Sequence, residues 1–297
     1  MNAIKKLNFG CGTRLANGWI NIDFHSYDSR VRQVNLLAGF PFPDAKFDAV
    51  YSSHVLEHFT REQAQLLLRE SYRVLKPGGI LRVVVPDFED SCREYLRVLA
   101  LPDNSEEKAL RHSWMMIELL DQLVRTVPSG EMGAVFALLR SGADPELLAY
   151  VRSRTENSAL TSATSVSAVA REGARPWPRR LRGMTSQKLA TKLNYWYLKS
   201  VTRLIPKNLR TLVLIETPIG ERHRWMYDRY SLRRLLNQSG FGGCQVLQHD
   251  QSGIPGFVLD RLDTNADGSP YKNVSIYMEA TKERIDGEGV ASSGRAP

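Results

Sequence analysis

Cysteine is scarce in this 297-residue chain: Cys11, Cys92 and Cys244 are all it has. They are too few and too scattered for a disulfide framework or a four-ligand zinc site, so reduced thiols are expected. Long apolar runs are missing too. No stretch reaches the roughly 18–20 uninterrupted apolar residues of a spanning helix, and the opening MNAIKKLNFG turns polar and glycine-rich too early for a signal-peptide core. A cytoplasmic location is the expectation. Acids are the scarcer charge: 32 Asp and Glu against 40 Lys and Arg leave a net +8, which favours an anionic partner.

That charge is local. Residues 171–210 hold eleven basic side chains and one acid, Glu172, a net of +10, so the rest of the chain sits near −2. Just before it, NSALTSATSVSAVA is small and Ser/Thr-rich and REGARPWPRR adds two prolines, which together read as a linker near 157–180. From Asp87 to about Arg154, apolar residues recur at helical spacing: Phe88, Cys92, Tyr95, Leu96 and Leu99, then Trp114, Ile117, Leu120, Leu123 and Val124. Several helices are expected there.

The flanks differ. KKLNFG, FDAVYSS and GILRVVVPD are short apolar runs rich in β-branched residues, expected as buried parallel strands. Between the last two, Thr60 and Gln63 form a capping box ahead of Ala64, Leu67, Leu68, Ser71 and Leu75, with a stop at Pro77-Gly78-Gly79. Near the other end, Ser231 is expected to cap a helix carrying Leu232, Leu235 and Leu236 that stops at Gly240. GCQVLQHD and NVSIYMEATK follow as strands. The alternation predicts an α/β sheet, parallel at first and closed by an antiparallel hairpin.

The first strand empties into Asn8-Phe9-Gly10-Cys11-Gly12-Thr13, and Asp23 ends the next apolar stretch. Glycines after a first strand let backbone approach a ligand, and an acid at the end of the second can hold a ribose hydroxyl pair. A dinucleotide is disfavoured, because Leu15 stands where the third glycine belongs and Asp23 follows too soon for a crossover helix.

LNFGCGTR, INID, FPFPDAKFDAVYSSHVLEHF and RVLKPGGILRVVVPD, in this order, resemble the core of class I S-adenosylmethionine-dependent methyltransferases, in particular the type-11-like bacterial group. GERHRWMYDRYSLRRLLNQSGF and SIYMEATK resemble the end of the same fold. The resemblance implies a Rossmann-like methyltransferase sheet from residues 1–87 and 215–283. A helical, basic insertion or lid would fill 88–214, and a disordered tail 284–297. It further implies that Asn8, Gly10, Cys11 and Gly12 lie at the cofactor, with Gly10 and Gly12 along its methionine part. Asp23 would hold the ribose, Asn35 and Leu36 would reach the adenine, and Ser53 and His54 would face the methyl group. Asn8, Arg14 and Asn35 depart from the residues usual there, an acid, a glycine and an aspartate.

A sulfonium methyl is already activated, so the protein has mainly to align an acceptor and exclude water. A hydroxyl acceptor needs a base, and the candidates are His54, His58, His223 and Tyr227, with Glu57 and Arg224 beside them. Glu57 and His58 can equally pair with each other or with backbone before the Thr60 cap, and His223, Arg224 and Tyr227 can equally anchor the insertion. No metal is expected: His54, Glu57 and His58 are three ligands within five residues, with no fourth at a recognisable spacing. Cys11 reads as a small filler of the glycine loop. Trp177, Tyr195, Trp196 and Tyr197 fall among the basic residues and read as packing of the insertion against the core.

The functional expectation is O-methylation of a saccharide or related small metabolite in cell-surface glycan synthesis. The +10 segment offers a docking face for an anionic membrane at its inner surface. Two other readings stay open, a non-catalytic module in a membrane or glycan-assembly complex and an RNA methyltransferase. No recognisable RNA-binding module accompanies the latter.

Overall fold

The computed structural model describes residues 4–26, 28–142, 144–155, 197, 200–201, 204 and 220–283. Seven strands form one sheet: β1 (Lys6–Phe9), β2 (Trp19–Asp23), β3 (Val31–Gln33), β4 (Phe47–Ser53), β5 (Leu75–Pro86), β6 (Gly242–Leu247) and β7 (Ser275–Thr281). Their spatial order is β3-β2-β1-β4-β5-β7-β6. The first five run parallel, and β7 is antiparallel to both β5 and β6. The expected α/β sheet with an antiparallel close is therefore present. β3 was not anticipated, since three residues with one buried side chain carry no readable period.

Alternation along the strands gives the sheet two different faces. On one, Leu7, Phe9, Val50, Leu81, Val83 and Val85 pack under α1 (Arg61–Val74), whose Ala64, Leu67 and Leu68 are buried with them. A later helix, Arg229–Gln238, adds Leu232 and Leu236 to this core. On the other face Trp19, Ala49, Tyr51 and Val84 are covered by Ile254, Phe257 and Leu262 from the chain between β6 and β7. Arg82 lies on that second face, fully buried, with Nε 2.6 Å from Asp263 Oδ2 and Nη1 3.0 Å from Glu279 Oε1.

The Thr60–Gln63 capping box starts α1 as expected. Its end differs: Leu75 leaves the helix in an extended conformation and pairs with Phe47, so helix gives way to strand before Pro77. A register shift opposite Phe47–Ala49 absorbs Lys76–Gly79. Ser231 is not the cap of the later helix. Asp228 is, accepting from Tyr230 N and Ser231 N, while the Ser231 hydroxyl reaches back as the other half of the capping box. A carboxylate at this end also faces the helix dipole favourably. Gly240, at φ +97°, terminates the helix.

Between β5 and the Arg229–Gln238 helix stand α2 (Phe88–Leu99), α3 (Glu106–Val124), α4 (Gly130–Arg140) and α5 (Pro145–Arg154). They share a small core of Val98, Trp114, Met115, Leu139 and Val151. The helical expectation holds for these residues, but the predicted apolar stripe is only partly buried: Leu96 is 63% and Val124 65% exposed. The helix Arg229–Gln238 is α6, and Phe257–Asp260 is α7. No helix among the described residues is long and apolar enough to cross a membrane. The 157–180 linker, almost all of the +10 segment and the 284–297 tail lie outside the described residues, as do Trp177, Tyr195 and Trp196.

Candidate active site

A cavity of about 430 Å³ opens at the carboxyl ends of β1, β4 and β5, where parallel α/β sheets gather ligands. Its size falls within the range of small-molecule pockets. Asn8, Gly10, Cys11, Gly12, Ser53 and His54 line it from the sheet side. Glu118, Gln122 and Arg154 line it from α3 and α5, and residues 271–274 come from the approach to β7. The insertion is tied down around it: Gln122 O accepts from His223 N at 2.9 Å, and the Asn273 amide donates to the carbonyls of Arg152 and Thr155.

The glycine loop is held by Asn8 and Arg14. Asn8 Nδ2 donates to Asn21 Oδ1 at 3.0 Å and to the Arg14 carbonyl at 3.1 Å. A carboxylate could accept but could not make either bond. Arg14 donates to the carbonyls of Arg261, Leu262 and Thr264, and its guanidinium lies 4.0 Å from the Tyr271 ring centroid. The loop is thus fastened to the chain between β6 and β7, an anchorage that a glycine at position 14 would lack.

Gly10 and Gly12 have φ of +63° and +49°, which glycine adopts without a side-chain penalty. Their surroundings are opposite. A Cβ on Gly10 would sit 3.0 Å from Val55 Cγ1 and closer still to Cγ2, whereas nothing lies within 4 Å of one on Gly12. Gly10→Ala is therefore expected to destabilise the fold by about 1–3 kcal/mol. Gly12→Ala should cost roughly 1 kcal/mol, from backbone conformation alone, and act mainly on ligand binding. Thermal melts of the two variants check this, and equal melting temperatures would refute it.

Asp23, Asn35 and Leu36 do not line the cavity. Asp23, at the end of β2, accepts from Gly12 N at 2.8 Å through Oδ2 and from His25 N at 3.1 Å through Oδ1. Asn35 accepts from Leu37 N, capping the short 3-10 turn Leu36–Ala38. Leu36 is buried in the main core. Both are held by local capping and packing.

The histidines do converge. His54 leaves β4 with φ +52°, a left-handed conformation uncommon for a side-chain-bearing residue, and its Nε2 lies 2.9 Å from Ser275 Oγ. His58 Nδ1 lies 3.1 Å from the Arg222 carbonyl, to which it can only donate. His223 faces His58 with ring centroids 5.1 Å apart. Burial, with Lys272, His223 and His58 adding to it, holds the His54 imidazole well below its ordinary range. Burial likewise lowers His58 and, with His58 and Arg125 nearby, brings His223 down to about 3. All three are neutral bases at physiological pH.

Glu57 lies directly beneath them, fully buried, and neither carboxyl oxygen has a hydrogen-bond partner. His54 Nδ1 stands 3.5 Å from Glu57 Oε1, and burial pushes the carboxyl up to about 8. Its backbone carbonyl accepts from Arg224 N at 2.6 Å. Tyr227 is placed elsewhere: it belongs to the main core, 2% exposed, and does not line the cavity. Burial and, after it, proximity to Glu57 raise its phenol above the ordinary range. Burial and Asp23 push the Cys11 thiol up to about 12, which suits a filler and no nucleophile.

Sequence reasoning missed the far wall, Glu118, Gln122, Arg154 and Asn273. No local pattern marks them, because they sit on helices and turns whose polar residues resemble any solvated face. It also missed a meeting. One ligating atom each from Glu57, His58 and His223 lie within 4.8 Å of one another, and no spacing along the chain points to His223 as the third of them.

Residues 7–83 match the family model described as methyltransferase domain, of the type-11 group. No curated protein matches the chain. Among solved structures, an S-adenosylmethionine-dependent methyltransferase from Methanosarcina mazei is similar at 14% identity and a TM-score of 0.39, over 96% of this chain and 94% of that one. Another, from Thermotoga maritima, is similar at 10% identity and a TM-score of 0.35, over 95% and 84%. The cyclase SpnF is similar at 27% identity and a TM-score of 0.25; the match covers 28% of this chain and 39% of that one, well under two thirds of its length.

Proposed function

We propose that this chain, a class I S-adenosylmethionine-dependent methyltransferase, methylates an oxygen of a small polyhydroxylated acceptor, a saccharide or a related metabolite. The observation that carries the reading is the wall of the cavity. His54, His58, His223, Gln122, Glu118 and Arg154 line it within about 430 Å³, the last two paired with each other at 2.7 Å. Such groups suit the paired donors and acceptors of sugar hydroxyls, and the volume suits a small molecule.

The residues fit the cofactor. Two glycines in left-handed conformation leave open space above Gly12, so backbone can approach the methionine end closely. Asp23, bonded to Gly12 N, would serve the adenosine side of the same loop. Asn8 and Ser53 supply further polar contacts on the sheet side. When bound, S-adenosylmethionine supplies a methyl group already activated on a sulfonium.

The chain's own residues then have three tasks. The helices α3–α5 close the cavity against bulk water, which keeps the methyl group from hydrolysis and strengthens polar contacts. The side chains of Glu118, Gln122 and Arg154 orient the acceptor. A neutral imidazole takes the proton of the attacking hydroxyl, and His54 is the best placed: it lines the cavity and ends the strand that meets the glycine loop. The segment 171–210, with its +10 charge, would hold the protein to an anionic surface where lipid-linked saccharides reside.

The test is methyl transfer from radiolabelled S-adenosylmethionine to nucleotide sugars, oligosaccharides and total RNA in parallel. Label recovered as a sugar O-methyl ether is the expected result. Label in RNA would replace the reading by nucleic-acid methylation, and cofactor binding without transfer to any pool would favour the non-catalytic module.

A further inference from the structure

The three side chains that the fold brings together under the cavity form a coordination set. Glu57 is fully buried with both oxygens lacking hydrogen-bond partners, an arrangement that costs free energy unless something fills it. His58 has its Nδ1–H directed at the Arg222 carbonyl, which fixes the tautomer and leaves Nε2 as a lone-pair donor. This backbone bond to the far nitrogen is how metal-ligating histidines are usually oriented. His223 is 6% exposed and stacked edge-on to His58. One donor atom from each lies within 4.8 Å of the other two, so a modest closing of the set brings all three to the bond lengths of about 2.0–2.2 Å that one ion takes.

We propose that Glu57, His58 and His223 form a binding site for a divalent transition-metal ion, open on its remaining side to the cavity. Two imidazoles and one carboxylate suit zinc, cobalt or manganese better than the all-oxygen sets preferred by magnesium. His58 and His223 both line the cavity while Glu57 lies behind them, so the free coordination position faces the acceptor. Three protein ligands with one open position characterise reactive metal sites, where the ion lowers the pKa of a bound hydroxyl or water.

Two cations stand near: Lys272 on the cavity wall, whose charge acts on His54, Glu57 and His58, and Arg125 behind His223, which is paired with Asp121 and lies 4.0 Å from Glu221. His54 Nδ1 stands 3.5 Å from Glu57 Oε1. The site stands on geometry alone and is independent of which molecule is methylated.

The experiment uses the full chain, stripped with a chelator and titrated calorimetrically with Zn²⁺, Mn²⁺, Co²⁺ and Mg²⁺ in separate runs, without S-adenosylmethionine. One equivalent of a transition ion should bind, with Mg²⁺ weaker. Glu57→Gln and His223→Ala should each weaken that binding by about 100-fold or more, since even outer partners of a ligand are worth roughly 10- to 100-fold. The Co²⁺ form of the parent should show visible ligand-field bands that shift on adding a saccharide, and this measurement needs no variant to fold. Absence of stoichiometric binding by the parent, preference for Mg²⁺, or unchanged affinity in a folded His223→Ala variant would each overturn the site. A failed methylation assay alongside intact metal binding would strike only the acceptor assignment.

Discussion

Arg82→Leu is expected to lower the stability of the protein by about 3–5 kcal/mol, because it strands two carboxylates in the sheet's second core. Arg82 is entirely buried, 2.6 Å from Asp263 and 3.0 Å from Glu279, and also donates to the carbonyls of Gln248 and Gln251. Tyr51 donates to the other Asp263 oxygen at 2.5 Å. Burial pushes the Asp263 carboxyl up and the Arg82 charge opposes it. Without the guanidinium that opposition ends. For a chain of this size the loss corresponds to a fall in melting temperature of roughly 10 °C, measurable by calorimetry. The same change should weaken cofactor binding, because Asp263 anchors the segment whose carbonyls at 261, 262 and 264 hold Arg14 and the glycine loop. Combining it with Asp263→Asn and Glu279→Gln should recover part of the stability by removing the stranded charges. An Arg82→Leu protein as stable as the parent would disprove the account.

The second large effect concerns the cofactor. Asp23→Ala should weaken S-adenosylmethionine and its demethylated product roughly 10- to 100-fold, the worth of a charge-assisted hydrogen bond of about 1.5–3 kcal/mol. Two contributions combine. The carboxylate fixes Gly12 through its amide at 2.8 Å, so its loss frees the loop. It also removes the acceptor that a pair of ribose hydroxyls would use. Asp23→Asn keeps an acceptor for Gly12 N but drops the charge, and should fall between the two. Calorimetric titration separates the three proteins. Equal affinity of the alanine variant and the parent would move the adenosine side of the site elsewhere.

Much of this was readable before folding. The strands at KLNF, FDAVYSS and ILRVVVP announce themselves through β-branched runs too short for helices, and Thr60 with Gln63 marks a helix start by a pairing four residues long. The Gly10–Gly12 turn is legible because left-handed backbone excludes most side chains. Where local signals compete, reading by eye went astray. Asp228 and Ser231 are both good caps, and only the actual entry angle of the chain selects the aspartate. Pro77 looks like a helix terminator, but pairing of Leu75 with Phe47 ends the helix earlier. Asn35 caps a short turn and Leu36 is buried in the core, contacts that neither residue's neighbours in the sequence announce.

The amino-acid sequence by itself determined the alternation of elements, the glycine turn at the end of β1 and the helices that follow β5 up to Arg154, since each follows from backbone sterics or a hydrophobic period within about twenty residues. Tertiary structure decided the site. His58 reaches the carbonyl of Arg222 across 164 residues, Arg14 holds backbone about 250 residues away, and the buried Glu57 faces His223 only because the insertion returns to the sheet at that point. Contacts of that span depend on how separate hydrophobic faces pack and where the sheet edge lies, information that no local pattern carries.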